Sequence, residues 1–280
     1  MFDCVPERRQ ISGQEMKQKG EKIAMLTAYD YSTAKIVDEA GVPLILVGDS
    51  LGMVVLGYDT PIPVTMDVMI HHTRAVVRGT SKALIVGDMP FMSYHVSIEE
   101  ALHNAGRFLQ EAGCQSVKLE GGVSVAEKVS RIVQCGIPVM GHIGLTPQSV
   151  NQLGGWRVQG KTPEAASQLL KDALALEEAG AFSVVLEQVP TPLATLISQK
   201  LSIPTIGIGA GSGCDGQVLV IHDVFGLSDR VPKLAKKYAG VGDIMRKAVT
   251  EYYNDVKSGS FPTEANSFTM DESVLAELNK

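Results

Sequence analysis

Five short apolar runs in this chain end in a carboxylate. Asp49 follows VPLILVG, Asp88 follows KALIVG, Glu120 closes QSVKLE, Glu187 closes FSVVLE, and Asp223 closes GQVLVIHD. A single acid after an apolar segment is ordinarily a helix cap. Five at equivalent points are harder to explain that way, because buried carboxylates repel one another unless protons, donors or a cation lie among them. Asp49, Asp88 and Glu120 are hard oxygen ligands with no Cys/His cluster beside them. Such a set suits Mg²⁺ better than Zn²⁺ and could polarise a substrate carbonyl. Lys118 stands two residues before Glu120, so in an extended strand both point to the same side. His142 ends a further run, IPVMGH, and is expected to support the same site.

Other chemistry-bearing residues give weaker signals. Gly211, Gly213 and Gly216 match a dinucleotide fingerprint by letter, but they lead into another apolar run and not into a helix. A tight loop between strands is the plainer reading. His71 and His72 lie within a helical pattern and read, like His95 and His103, as packing or surface residues. Trp156, in a Gly-Gly-Trp-Arg loop, is equally suited to covering a substrate or anchoring the loop.

The elements that must position these groups are legible in the pattern. Apolar runs occur at 22–30, 42–50, 82–90, 115–122, 137–144, 182–190, 203–211 and 216–223. They are continuous, not alternating, which marks parallel strands buried on both faces. Helical patterns separate most of them: 32–40, 66–78, one opened by Ser97 with Glu100, one by Ser124 with Glu127, and one by Thr162 and Pro163. The first run ends Tyr29-Asp30 without the glycine turn of a doubly wound sheet, so the pattern favours a (β/α)8 TIM barrel, in which strand C-termini carry the chemistry. Only a Gly-rich loop separates runs seven and eight. A pattern over about 233–256 is expected to be the helix that closes the barrel. The domain expectation is one barrel over 1–280, with an N-terminal extension of about 20 residues and a polar tail from about 259.

Composition narrows the partners. The chain has 280 residues, a net charge of −6 and a pI near 5.6, which argues against nucleic acid and anionic membrane. Its four cysteines lack metal or disulfide spacing, as expected of reduced and mostly buried thiols. No apolar run reaches the ~18 residues of a membrane helix, and the N-terminus lacks a signal-like core. The expected location is cytoplasmic.

Taken together, TAYDYSTAKIVDEAG, LVGDSLGMVVLGYDTPIPVTMD, GDMPFMSY, VKLEGG, GHIGLTPQ, VLEQVP and GIGAGSGCDGQVLVIHDVFG with PKLAKKYA resemble the ketopantoate hydroxymethyltransferase family, over about residues 10 to 265. The resemblance implies a barrel of the phosphoenolpyruvate/pyruvate type that uses Mg²⁺. It implies transfer of a hydroxymethyl group from 5,10-methylenetetrahydrofolate to 2-oxoisovalerate through a Mg²⁺-stabilised enolate, giving ketopantoate for pantothenate and coenzyme A. By the same resemblance, Asp49 and Asp88 are metal ligands that also line the substrate pocket, and Glu120 is the third metal-site acid. Ser50 and Lys118 hold the keto acid, Glu187 is the general base, and the assembly is a homo-oligomer, typically a decamer. Two rival readings are a carbon–carbon lyase of the isocitrate lyase type and a non-catalytic barrel subunit. The first needs a Lys-Lys-Cys-Gly-His loop that this chain lacks, and the second need not keep the acids with Lys118 and Glu187.

Overall fold

The structure, a computed structural model, describes residues 13–228 and 231–278. Its eight strands are β1 Ile23–Thr27, β2 Leu44–Val47, β3 Leu84–Asp88, β4 Ser116–Glu120, β5 Val139–Gly144, β6 Ser183–Glu187, β7 Thr205–Ile208 and β8 Gly216–Leu219. Each pairs in parallel with the next, and β8 returns to β1, so the barrel is closed.

Helices alternate with the strands. They are α1 Gly13–Lys19, α2 Tyr31–Glu39, α3 Leu51–Val54, α4 Met66–Gly79, α5 Ile98–Arg107, α6 Ala126–Gln134, α7 Pro163–Glu178, α8 Thr191–Lys200, α9 Ile221–Phe225, α10 Val241–Ser258 and α11 Glu272–Leu278. Four starts carry side-chain caps: Asp30, Thr65, Ser97 and Thr162 accept from the backbone N–H three residues on. No helix lies between β7 and β8. There Gly211 and Gly213 approach α8 so closely that a Cβ would stand 2.3 Å from Thr191 Oγ1 and 2.0 Å from Thr195 Oγ1. Among the described residues, no helix is long and apolar enough to cross a membrane. Cys114 and Cys214 are buried and Cys135 is exposed, while Cys4 lies outside the described residues.

The two-residue alternation of strands builds two separate cores. Ile23, Met25, Leu44, Leu46, Val86, Met140, Val185, Ile206 and Val218 fill the lumen. Their neighbours in sequence, such as Ile45, Ile85, Val139 and Val184, pack outward against the helices. Met16 of α1 packs against the lumen core, and Lys17 Nζ reaches Asp215 at 3.0 Å and the Ser198 carbonyl at 2.7 Å, so α1 covers the barrel's lower mouth.

Three expectations need correction. Ser124 does not cap α6. A 3₁₀ turn over Val123–Val125 intervenes, held by Val123 N donating to Asp172 Oδ1 at 2.9 Å, and the cap position falls on Val125 without a side-chain bond. Strand β8 stops at Leu219, because Ile221 N turns inward to Thr27 Oγ1 at 3.0 Å, so His222 and Asp223 sit on α9. The pattern over 233–256 is helical only from Val241 and does not close its own barrel. In α10 only Gly242 is buried, and the outer faces of β8 and β1 at Gln217 and Ala24 stay exposed. Residues 260–278 are exposed, including a short 3₁₀ turn at Glu264–Asn266 and α11.

The turn into β3 hangs on one carboxylate. Asp38 accepts from Ser81 N, Ser81 Oγ, Lys82 N and Ala83 N at 2.7–3.1 Å. Burial raises this carboxyl, but the backbone donors outweigh it and hold the group below its usual range. A depressed folded pKa contributes stability that is present above the unfolded value and lost as pH falls through the folded one. Asp38→Ala should therefore cost about 2 kcal/mol at pH 7, the scale of hydrogen bonds to a charged group. That difference should shrink below about pH 4. Urea unfolding at both pH values checks this; equal stability of mutant and parent at pH 7 would sink the assignment.

Candidate active site

The inward rows of the lumen continue upward as polar residues. Asp88 follows Val86 by two, His142 follows Met140 by two, and Glu187 follows Val185 by two. Lys118 and Glu120 are in register with Asp88 and His142. The apolar plug thus ends in a polar layer, which floors a cavity of about 440 Å³ at the C-terminal rim. Asp49, Ser50, Asp88, Lys118, Glu120 and Glu187 all line this one cavity, as do His142, Trp156 and Asp223.

The polar layer is tightly bonded. Lys118 Nζ lies 2.7 Å from Asp88 Oδ1, 3.3 Å from His142 Nδ1 and 3.9 Å from Glu120 Oε1. His142 spans two acids, with Nδ1 3.3 Å from Glu120 Oε1 and Nε2 3.3 Å from Glu187 Oε2. Asp49 N donates to Asp88 Oδ2 at 3.1 Å. Ser50 Oγ and Tyr29 OH are 2.9 Å apart.

Burial and mutual charge set the ionisation of the layer. Burial pushes the Asp49 carboxyl well up, with Asp88 and Glu120 adding to it, and burial likewise raises Asp88. Glu120 is held down despite burial, chiefly by His142. Burial works against the Lys118 cation, but Asp88, Glu120 and Asp49 outweigh it and raise its pKa. His142 is pushed down by burial and by Lys118, yet Glu120 and Glu187 lift it to about 9.

These residues fit a divalent cation. In full ionisation Asp49, Asp88, Glu120 and Glu187 carry −4 against +2 for Lys118 and protonated His142, leaving −2. Asp88 Oδ1 and Glu120 Oε1 are buried and meet the cationic groups of Lys118 and His142, so these oxygens already sit where positive charge is held, and hard carboxylate oxygens are what a hard cation takes. The described side chains do not already surround one common point as a cation cage. Lys118 Nζ stands between Asp88 and Glu120 instead.

Three further residues of the site carry no signal readable from the sequence alone. Gln148 Nε2 donates to Asp49 Oδ2 and to the Met89 carbonyl, both at 2.9 Å, and its backbone N donates to Glu120 Oε2 at 3.0 Å. Tyr94 OH donates to Gln148 Oε1 at 2.6 Å and accepts from Glu120 N at 3.1 Å. Tyr29 braces Ser50. An amide and two phenols are indistinguishable from core polar residues until the fold joins Gln148 to an acid 99 positions away.

Glu187 is fixed through its backbone. Its carbonyl accepts from Leu145 N at 2.8 Å, and the next residue, Gln188, has φ +48. Gly144 opposite has φ +95, and a Cβ there would stand 2.2 Å from that carbonyl, so only glycine fits. The other histidines stay outside the cluster: His72 Nδ1 lies 2.6 Å from the Tyr29 carbonyl, and His95 Nδ1 accepts from Met92 N.

A protein-family model described as ketopantoate hydroxymethyltransferase matches residues 10–264. Curated relatives named 3-methyl-2-oxobutanoate hydroxymethyltransferase include that of Dehalococcoides mccartyi, 65% identical over 267 residues and 95% of each chain. The Syntrophus aciditrophicus protein of that name is 62% identical over 90% of this chain and 93% of its own. Among solved structures, a phosphonopyruvate hydrolase in complex with oxalate and Mg²⁺ shares the fold at TM-score 0.59, with 11% identity over 96% of each chain. A 2,3-dimethylmalate lyase of the PEP mutase/isocitrate lyase superfamily does so at TM-score 0.57, with 14% identity over 97% of this chain and 95% of its own. With matches of this identity spanning nearly its whole length, the chain belongs to the ketopantoate hydroxymethyltransferase family.

Proposed function

We propose that this chain transfers a hydroxymethyl group from 5,10-methylenetetrahydrofolate to 2-oxoisovalerate, giving ketopantoate for pantothenate and coenzyme A synthesis. The observation that carries this reading is the buried layer of Asp49, Asp88, Lys118, Glu120, His142 and Glu187 on the floor of one cavity, in a chain of this family. Asp49 and Asp88 would hold Mg²⁺ directly, with Glu120 as the third acid. When bound, the cation would draw electron density from the keto carbonyl and acidify C3.

The chain's own groups supply the rest. Ser50 and Lys118 bind the keto acid, and the raised pKa keeps Lys118 cationic beside the substrate oxygens. Glu187, on the opposite wall, takes the C3 proton, while His142 Nε2 at 3.3 Å orients its carboxylate. Water adding to the methylene carbon of the carrier breaks both of its C–N bonds; the two nitrogens keep the protons of that water, and formaldehyde and tetrahydrofolate result. The C3 carbanion bonds to the formaldehyde carbon, and its oxygen takes up a proton to become the hydroxyl. A lyase of the isocitrate lyase type is disfavoured, because no cysteine among the described residues lines the cavity. A non-catalytic barrel would have no use for so costly a set of buried charges. We place the enzyme in the cytoplasm.

We further propose that it is a homo-oligomer, a decamer by family resemblance, in which α10 covers a neighbour. Met245, Val249, Tyr252 and Val256 form one stripe along α10, all between 47% and 67% exposed. The bare outer faces of β8 and β1 at Gln217 and Ala24 offer a matching seam.

Three outcomes test these readings. Wild-type enzyme with Mg²⁺ should exchange the C3 hydrogen of 2-oxoisovalerate with deuterated water without any folate. Glu187→Gln should slow this by about 10²–10⁴-fold while keto-acid binding persists; proton NMR of the methine follows it, and wild-type exchange in the mutant would move the base role elsewhere. EDTA should abolish exchange and Mg²⁺ restore it, and in Asp88→Asn metal and keto-acid affinity should fall together by calorimetry. Full activity in metal-free enzyme would end the metal reading. Val249→Glu with Tyr252→Glu should reduce the assembly's mass in sedimentation; an unchanged mass would exclude α10 from the interface.

A further inference from the structure

The polar layer occupies one side of the cavity, at the ends of β2 to β6. The other side is built from the end of β8, α9 and the segment after it, and it carries a carboxylate that the proposed chemistry does not use. Asp223 is only 7% exposed, yet it opens onto the cavity. Its carboxylate Oδ1 accepts from Ser228 Oγ at 2.9 Å. Tyr29 stands between the two sides. It is bonded to Ser50, and burial raises its phenol, with Asp49 and Asp223 adding to the effect.

The cavity is also larger than a five-carbon keto acid requires. About 440 Å³ lies within the ~300–1,000 Å³ range of sites for drug-sized ligands. Its lining includes the apolar side chains of Trp156, Pro232 and Leu234. Such walls suit the two faces of a planar bicyclic ring, and a half-exposed indole is a stacking plate.

The one-carbon carrier supplies that ring. The pyrimidinone edge of a reduced pteridine presents N3–H and the 2-amino group side by side, two parallel donors at the spacing of two carboxylate oxygens. The nitrogen that bears the one-carbon unit lies toward the other end of the bicycle. Asp223 lines the same cavity as Glu187 and Lys118, so a pteridine held by that edge would keep its reactive end within one cavity with them. Burial raises the Asp223 carboxyl despite Ser228 and His222, and two N–H donors would offset that desolvation.

We propose that Asp223, braced by Ser228, is the recognition group for the carrier, its carboxylate accepting from N3–H and the 2-amino group of the reduced pteridine. This rests on the hydroxymethyl transfer proposed above.

The test separates the two ideas. Asp223→Asn keeps the shape and the Ser228 contact but sets an amide donor against the pteridine donors. Its KM for methylenetetrahydrofolate should rise about tenfold or more, the scale of hydrogen bonds to a charged group. Folate-independent C3 exchange and keto-acid affinity should stay within twofold of wild type. The decisive probe is calorimetry with tetrahydrofolate and with its 2-desamino-2-methyl analogue. Wild type should lose about tenfold in affinity for the analogue and Asp223→Asn much less. Equal losses on both proteins, an unchanged KM in Asp223→Asn, or exchange falling in parallel with folate use would overturn the proposal. Should Asp223→Asn not fold, Ser228→Ala takes its place, with a smaller KM rise and the same unchanged exchange expected. A wild type that neither exchanges nor transfers would instead remove the proposed function itself.

Discussion

The placement of one ammonium group among buried carboxylates governs the upper half of this barrel. Lys118 is 3% exposed and lies within 4 Å of Asp88, His142 and Glu120. Removing one partner from such a set leaves an uncompensated charge in low dielectric, which is strongly unfavourable. The arrangement therefore constrains its surroundings. Gln148 must donate to the Glu120 and Asp49 carboxylates, Tyr94 must hold the Gln148 amide in place, and Gly144 must let the Glu187 backbone come close. In full ionisation the layer keeps two uncompensated negative charges even with His142 protonated, so its electrostatics favour a bound cation.

That placement costs the fold little extra information. The strand alternation that sends Val86, Met140 and Val185 into the lumen also sends Asp88, His142 and Glu187 there two residues later. Below the polar layer the lumen is sealed by apolar side chains and, at its base, by α1. This apolar packing beneath the layer keeps the local dielectric low and each charge interaction strong.

Much of this was legible from residue types in order. The eight strands fall inside the eight apolar runs, and the acids that end them meet in one cavity, because parallel strands in register bring equivalent positions together. The unread parts depended on contacts between distant segments. Ser124 has the sequence of a cap, but the Asp172 carboxylate on α7 claims the neighbouring Val123 N–H and displaces the helix start. His222 and Asp223 continue an apolar run in sequence, but Thr27 Oγ1 takes the Ile221 N–H and bends the chain into α9. The pattern of α10 has a correct helical period, yet period says nothing about which surface the apolar stripe meets.

That last point bears on how the molecule holds together in solution. A barrel that leaves the seam between β8 and β1 wet and carries its own covering helix away from it is an incomplete unit. In the oligomer proposed above, with α10 covering a neighbour, part of each chain's folding free energy would become association free energy. Stability would then depend on protein concentration, and a melting temperature would mean little unless the concentration were stated with it. A weakened α10 would express itself first as sensitivity to dilution, at a distance from an active-site layer that had not changed at all.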